Sequence, residues 1–177
     1  MSILKKSRSL KRGFTRTLSN KVSGFTLIEL LVVIAVIAVI TSLIIGYLST
    51  ARQRGNDAAV ETNLSAIRAT SEVFYINNSN SYLPVGGLTF DIATCPTYNA
   101  SGTNMLSKDR TVADAIAEAT KRGINGNSCY NAPEGWAVAV GLVEKAGHSW
   151  CVDNSGASKE VSSLPSAAIN AVTHLCN

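Results

Sequence analysis

Glu29 is the residue whose type and position most clearly predict chemistry, because it is the only charged side chain between Phe25 and Leu48. An apolar stretch of that length can cross a bilayer as a helix. An ionisable group inside such a segment costs about 3 kcal/mol on insertion scales, and it usually marks function and has a partner nearby. We therefore interpret Glu29 as a functional carboxylate. The alternative is that it only occupies the first helical turn, where a negative charge interacts favourably with the helix dipole.

A positive partner for Glu29 would arise if the chain were cut after Gly24. Phe25 would then be the N-terminal residue, and its amine would lie one helical turn from Glu29, on the same chain or on a neighbour. Gly24 suits a protease that needs an extended, unhindered backbone before the scissile bond. The alternatives are that Gly24 is a flexible joint and that Phe25 is an ordinary residue of the apolar span.

Four features of this region together resemble the processing site of type IV pilins and type II secretion pseudopilins. They are a basic leader, a small residue before the cut, a Phe after it, and an acid at the fifth position of the mature chain. The matching residues are Gly24-Phe25-Thr26-Leu27-Ile28-Glu29-Leu30, and the helix that follows extends the match to about Pro84.

The resemblance implies a processing route and a set of partners. A prepilin peptidase would cleave after Gly24, Phe25 would be N-methylated, and Glu29 would serve assembly. The implied partners are other pilin subunits in a homo- or hetero-polymer, the prepilin peptidase, an inner-membrane assembly machinery, and membrane lipid before assembly. We expect no cofactor, no catalytic residue and no enzyme activity, and we predict no nucleic-acid partner.

The charge of the chain is divided between a basic leader and an acidic remainder. Residues 1–24 carry seven basic and no acidic side chains, so removing them changes the formal charge from +4 to −3. A mature protein of that charge is not a basic nucleic-acid binder. Basic residues before the span keep that side in the cytoplasm, so the chain beyond Ser49 should face outward. A secretory signal and a plain signal anchor are the rival interpretations, but no small-residue cleavage site follows Leu48.

The four cysteines, Cys95, Cys129, Cys151 and Cys176, all lie in the part of the chain predicted to be exported. They contain no C-x-x-C pair, which argues against zinc, and we predict no metal site. An even number in an exported domain predicts disulfides, of which three pairings are possible. Pilins often close a C-terminal loop with a disulfide, and this resemblance favours Cys95–Cys129 with Cys151–Cys176. Free or mispaired thiols are the alternative.

Three further patterns in the sequence have structural explanations. Gly147 to Cys151 is superficially similar to a nucleophile elbow, but Cys151 replaces the final Gly and the strand-turn-helix context is missing. Asp153 to Gly156 resembles part of a calcium loop without its distant Glu, so a turn is expected. Trp136 and Trp150 are expected to pack within a sheet.

The order of elements predicts an α+β fold in which a long N-terminal helix, with a membrane-spanning first half, lies against a small antiparallel β-sheet head, as in pilins. We predict a leader at 1–24, an apolar transmembrane or filament-core helix at 25–48, its amphipathic continuation at 49–81, and a globular head at 82–177. Within the continuation, one small-residue stripe is predicted to face the head. Its members are Ala51, Gly55, Ala58, Thr62, Ala66, Ala69 and Val73.

In the head we expect an irregular connection over 82–106 and a helix over 112–122 with a capping box of Thr111 and Asp114 and a C-terminal Gly123. Alternating apolar residues predict three strands, at 136–143, 148–153 and 157–161, before a short terminal helix at 165–174.

The sequence therefore indicates a structural subunit, a prepilin processed after Gly24 and assembled through its N-terminal helix. It would reside first in the inner membrane and then in an extracellular pilus or a periplasmic pseudopilus. The alternatives are a minor pilin, a secretion or competence pseudopilin, and, from another class, a membrane-anchored binding domain that does not polymerise.

Overall fold

The computed structural model describes residues 24–177, so the predicted leader lies outside the described residues apart from Gly24. The chain forms two compact units, one ending at Ser42 and the other running from Leu43 to Asn177. Helix α1 (Leu27–Asn77) contributes residues to both. It begins two residues after the predicted start at 25 and ends at Asn77, within the range of 49–81 predicted for its continuation.

The first unit, over its described residues, consists of residues 27–42 of α1 and the three residues that lead into the helix. Every described side chain from Gly24 to Ser42 is exposed. Leu, Ile, Val and Ala make up most of residues 27–42, and this part of α1 contains no Pro or Gly. Nothing in its backbone therefore interrupts the helical hydrogen bonds. A helix that is apolar on all sides needs lipid or other helices around it.

The second unit contains a five-stranded sheet in which consecutive strands are neighbours and all pairs are antiparallel. The fold class predicted from sequence, a long helix on an antiparallel sheet, is confirmed. The strands are β1 (Phe90–Ala93), β2 (Asn127–Ala132), β3 (Gly135–Gly141), β4 (Ser149–Asp153) and β5 (Ser158–Val161), and the helices are α2 (Met105–Lys108), α3 (Arg110–Arg122) and α4 (Pro165–Ala168).

One face of the sheet packs on the second half of α1. Trp136, Val138 and Val140 alternate along β3, so their side chains lie on one face and meet a single apolar cluster. Helix α1 adds four large side chains to that cluster, and all four are buried: Val60, Leu64, Ile67 and Phe74.

The small-residue stripe predicted to face the head is on the wrong side of α1. All seven of its members are exposed, whereas the buried face of α1 carries Val60, Leu64, Ile67, Ser71 and Phe74. Burial free energy follows the apolar area removed from water, and Val, Leu, Ile and Phe bury far more area than Ala, Gly or Thr. The larger side chains therefore decide which face meets the sheet.

The opposite face of the sheet is covered by the C-terminal segment. Ala137 and Ala139 of β3 are fully buried there with Ala168 and Ile169. The predicted terminal helix at 165–174 is too long, because α4 ends at Ala168 and Ile169 then forms a bridge with Cys176. The Asn170 side chain accepts hydrogen bonds from the backbone N–H groups of Val172 and Thr173, which turns the chain back instead of continuing the helix.

Two strands were not predicted, β1 inside the supposedly irregular connection and β2 before the first predicted strand. Strand β2 has the sequence Asn-Ser-Cys-Tyr-Asn-Ala, which lacks the alternation of large apolar residues that predicts a strand. Its buried Asn131 accepts a hydrogen bond from the Met105 backbone N–H at 2.9 Å. Tertiary contacts therefore hold this strand in the sheet against its composition.

Helix α3 ends at Arg122 as predicted from sequence but begins two residues earlier, and its capping interactions differ from those predicted. The Asp109 side chain caps it by accepting from the Val112 N–H at 3.0 Å, so the predicted box of Thr111 and Asp114 is wrong. Gly123 has a negative φ rather than the left-handed cap expected. A side chain there would collide with the Gly141 carbonyl, and this close approach to β3 explains the glycine.

Candidate functional site at the start of the long helix

Thr26 and Glu29 form a reciprocal pair at the N-terminus of α1. One carboxylate oxygen of Glu29 accepts from the Thr26 backbone N–H at 2.8 Å and from its hydroxyl at 2.9 Å. The Glu29 backbone N–H in turn donates to the Thr26 hydroxyl at 3.3 Å. This is a capping box, which satisfies N–H groups that the first helical turn leaves without intrahelical partners.

The sequence reasoning missed Thr26 as a functional residue. The signal was present, because Thr-x-x-Glu before an apolar run is the sequence signature of a capping box. The roles predicted from the motif concern only Glu29 and the Gly24–Phe25 junction. The structure adds that Glu29 has a partner within its own chain, the residue three positions before it.

Gly24 and Phe25 lie just before the helix, outside regular secondary structure. Both are exposed, and 85% of Phe25 is accessible. A side chain added at Gly24 would have open space around it. The junction between these residues is therefore an accessible, non-helical backbone segment, which a protease requires.

The helix beyond Glu29 presents a continuous apolar surface. It is long and apolar enough to cross a membrane, and none of its most apolar 18 residues is buried. Glu29 is thus the one acidic group at the edge of a large exposed apolar surface. Such a surface marks contact with lipid or with other protein.

The second half of α1 has a second, open side. The small-residue stripe is exposed from Ala51 to Val73, and it is distinct from the face that packs on the sheet. Small side chains allow another helix to approach closely. This side of α1 therefore has space for another helix to pack against it.

Two disulfides each join a strand of the sheet to a segment outside it. Cys95, after β1, is joined to Cys129 in β2, and Cys151 in β4 is joined to Cys176 near the C-terminus. These are the two pairs that the resemblance favoured. The buried Asp153 supports the second one, because its carboxylate accepts from the Cys176 N–H at 2.8 Å. Asp153 also accepts from the Ser155 N–H and hydroxyl in the β4–β5 turn.

The other side chains considered from sequence have structural partners. The Ser149 hydroxyl donates to the Ser163 carbonyl at 2.8 Å, and the His148 Nδ1 lies 2.6 Å from a carboxylate oxygen of Glu160. Trp136 is fully buried in the main cluster and Trp150 packs against it. Within residues 24–177, no group of three or more His, Cys, Asp or Glu side chains is placed to hold a metal ion.

Comparison with known proteins gives matches that cover only part of the chain. The family described as the prokaryotic N-terminal methylation motif matches residues 19–45. The type IV wide pilus major component PilA4 of Thermus thermophilus is 48% identical over 59 residues, which is 33% of this chain and 44% of that relative. The match thus spans less than half of the relative's length, and no solved structure matches.

Proposed function

We propose that this chain belongs to the type IV pilin family and is the precursor of a structural subunit of a pilus-like filament. The observation that carries the proposal is the single carboxylate of Glu29 at the head of an exposed apolar helix, next to an accessible Gly24–Phe25 junction. The N-terminal methylation motif includes all three residues.

Processing is the first step of the proposed route. A prepilin peptidase cleaves the Gly24–Phe25 peptide bond, which removes the basic leader and leaves Phe25 with a free amine that becomes methylated. Before assembly the apolar half of α1 lies in the inner membrane, with the leader on the cytoplasmic side and residues 82–177 outside. The assembly machinery then moves the subunit into the growing polymer.

Glu29 selects the position of each subunit in the polymer. In the single chain its carboxylate is held by Thr26, and in the polymer it pairs with the protonated amine of Phe25 on a neighbouring subunit. A buried ion pair adds little net stability, but it strongly disfavours arrangements that leave either charge unpaired. The apolar surface supplies the attraction between subunits, and Glu29 with Phe25 supplies the register.

The small-residue stripe supports the same arrangement farther along α1. It leaves Ala51 to Val73 open on a side that the sheet does not use. Helices of neighbouring subunits therefore have a surface to approach after the membrane segment ends. This role is structural, and none of the side chains described above is assigned a catalytic step.

The polymer is the structure of an extracellular pilus or, in the alternative, of a periplasmic pseudopilus with this chain as a minor pilin or pseudopilin. A membrane-anchored domain that does not polymerise is the alternative of a different class. An anchor needs no paired carboxylate in its span, so the substitution of Glu29 separates it from a filament subunit.

The test is Glu29→Ala in the native host, with the amount of subunit measured in membranes and in the material sheared from cells. We expect the amount of subunit in the sheared fraction to fall about tenfold or more, with the membrane level unchanged. The reason is that the protonated amine of Phe25 would be left as an unpaired buried charge. Glu118→Gln, which neutralises an exposed acid of α3, is the matched control and should shear like the wild type. Equal sheared amounts for Glu29→Ala and wild type would contradict assembly through Glu29.

A further inference from the structure

The loop between β3 and β4 is hydrogen-bonded to α1 by one carboxylate. The Oδ1 atom of Asp57 accepts from the Val143 N–H at 2.6 Å, and the Oδ2 atom accepts from the Glu144 N–H at 2.9 Å. Both oxygens are used by consecutive backbone donors, so Asp57 fixes the direction of the loop as well as its distance from α1. Hydrogen bonds to an ionised acceptor are stronger than neutral ones.

A second contact lies one helical turn earlier. The Arg54 Nε donates to a carboxylate oxygen of Glu144 at 2.8 Å. Arg54, Asp57, Val143 and Glu144 are here called the helix clamp. The ion pair of the clamp is largely exposed, so Asp57 carries most of its strength.

The same loop is also held to the sheet. Lys145 donates to both carboxylate oxygens of Glu160 in β5, at 2.9 and 2.7 Å, and the His148 ring contacts one of them. The hydrogen bond from Lys145 lowers the pKa of the Glu160 carboxyl, and burial acts in the opposite direction. Leu142 at the start of the loop is buried in the main cluster. The loop is therefore a firm support for α1.

The clamp lies where α1 changes from unsupported to supported. Within the second unit, residues 43–52 are all exposed, and Val60 is the first fully buried residue of the helix. Gly46 and Gly55 fall in this region, and each weakens a helix relative to alanine. No side-chain hydrogen bond joins the described residues 43–53 to the sheet or its loops, so the clamp is the first such attachment met along α1.

We propose that the helix clamp is a stop that prevents unwinding of the unsupported part of α1 from passing Gly55 into the turn that leads to Val60. A helix without packing frays easily, because most helical stability in proteins comes from tertiary contacts. Asp57 fixes α1 immediately after its weak glycine, which separates a segment that opens locally from one that opens only with the head. The device belongs to the single subunit and does not depend on polymerisation.

The experiment is peptide-resolved hydrogen exchange of the full chain in detergent micelles, comparing wild type with Asp57→Asn. Asparagine keeps the shape but loses the charge and one of the two acceptors. We expect exchange of residues 56–60, just beyond Gly55, to rise about tenfold or more, since unwinding is no longer stopped and a bond to a charged group is lost. Exchange over residues 64–74, under the sheet, should stay at the wild-type rate.

Glu61→Gln is the matched control, because Glu61 is an exposed acid on the same helix one turn beyond Asp57. Its exchange pattern should equal that of the wild type. The proposal is overturned if Asp57→Asn leaves residues 56–60 unchanged, or if exchange rises equally over 43–177, since Asp57 would then act on global stability. If Asp57→Asn does not fold, Asp57→Glu decides between the same outcomes, because it keeps the charge but displaces both oxygens.

Discussion

At the scale of the residue, Thr26 and Glu29 show how the start of an apolar helix can carry a hydrogen-bonded carboxylate. A carboxylate in an apolar setting is costly unless it is hydrogen-bonded. Thr26 provides two donors to Glu29 from within the same chain, so the subunit carries a satisfied acid while it has no neighbour. In the proposed filament, the Phe25 amine of a neighbouring subunit would replace these donors.

The substitution Thr26→Val tests this pair, because valine has nearly the same shape but no hydroxyl. It removes one of the two donors to the Glu29 carboxylate, the hydroxyl, and the acceptor for the Glu29 N–H, and loss of such a cap costs about 1 kcal/mol. Hydrogen exchange of the first turn of α1 in micelles should increase about fivefold. Thr26→Ser keeps the hydroxyl and should behave as the wild type. Unchanged exchange in Thr26→Val would mean that the hydroxyl does not hold the helix start.

At the scale of the element, the second half of α1 shows how a helix can have two apolar sides with different tasks. Its larger side chains, such as Leu64 and Ile67, pack on the sheet, and its small ones, such as Ala66 and Ala69, stay open. The sequence contains both patterns at helical spacing. Volume, rather than spacing, decides which side is buried, because larger apolar side chains remove more area from water.

Leu64→Ala is expected to destabilise the second unit by about 3 kcal/mol, because it leaves a cavity between α1 and β3. Ala66→Ser, two residues farther on the open side, should change stability by less than about 0.5 kcal/mol. The measurement is denaturant unfolding of the full chain in micelles, followed by the fluorescence of the two tryptophans, which both lie in the sheet. The reverse order of the two effects would show that the small-residue stripe is the buried face.

The sheet was only partly predictable from sequence, and β2 shows why. Strand β3 alternates Trp136, Val138 and Val140 with alanines, and that period of two predicts it directly. Strand β2 contributes mostly small and polar residues, and its place depends on partners far away in sequence. One of them is Met105, whose N–H binds Asn131, and another is Cys95, which is joined to Cys129. No local pattern encodes such contacts.

At the scale of the whole molecule, the functional region and the head pose different problems for prediction. The proposed cleavage junction, the acid and the apolar helix are contiguous, so the sequence reveals them together, and the N-terminal methylation motif matches residues 19–45. The head is assembled by long-range contacts: both disulfides, the clamp at Asp57, and the cover that Ala168 and Ile169 place over the second sheet face. Only its strongest local patterns could be predicted.

The central claim is that the chain is cut after Gly24 and then assembled into a filament, and one measurement tests it most directly. It is the intact mass and N-terminal sequence of the protein from membranes and from sheared material of the native host. The account predicts a sheared chain that begins at methylated Phe25 and lacks the four hydrogens lost to the two disulfides. The same chain confined to membranes would indicate a minor subunit or pseudopilin. A chain that still begins at Met1, or one cut after Leu48, would contradict the account.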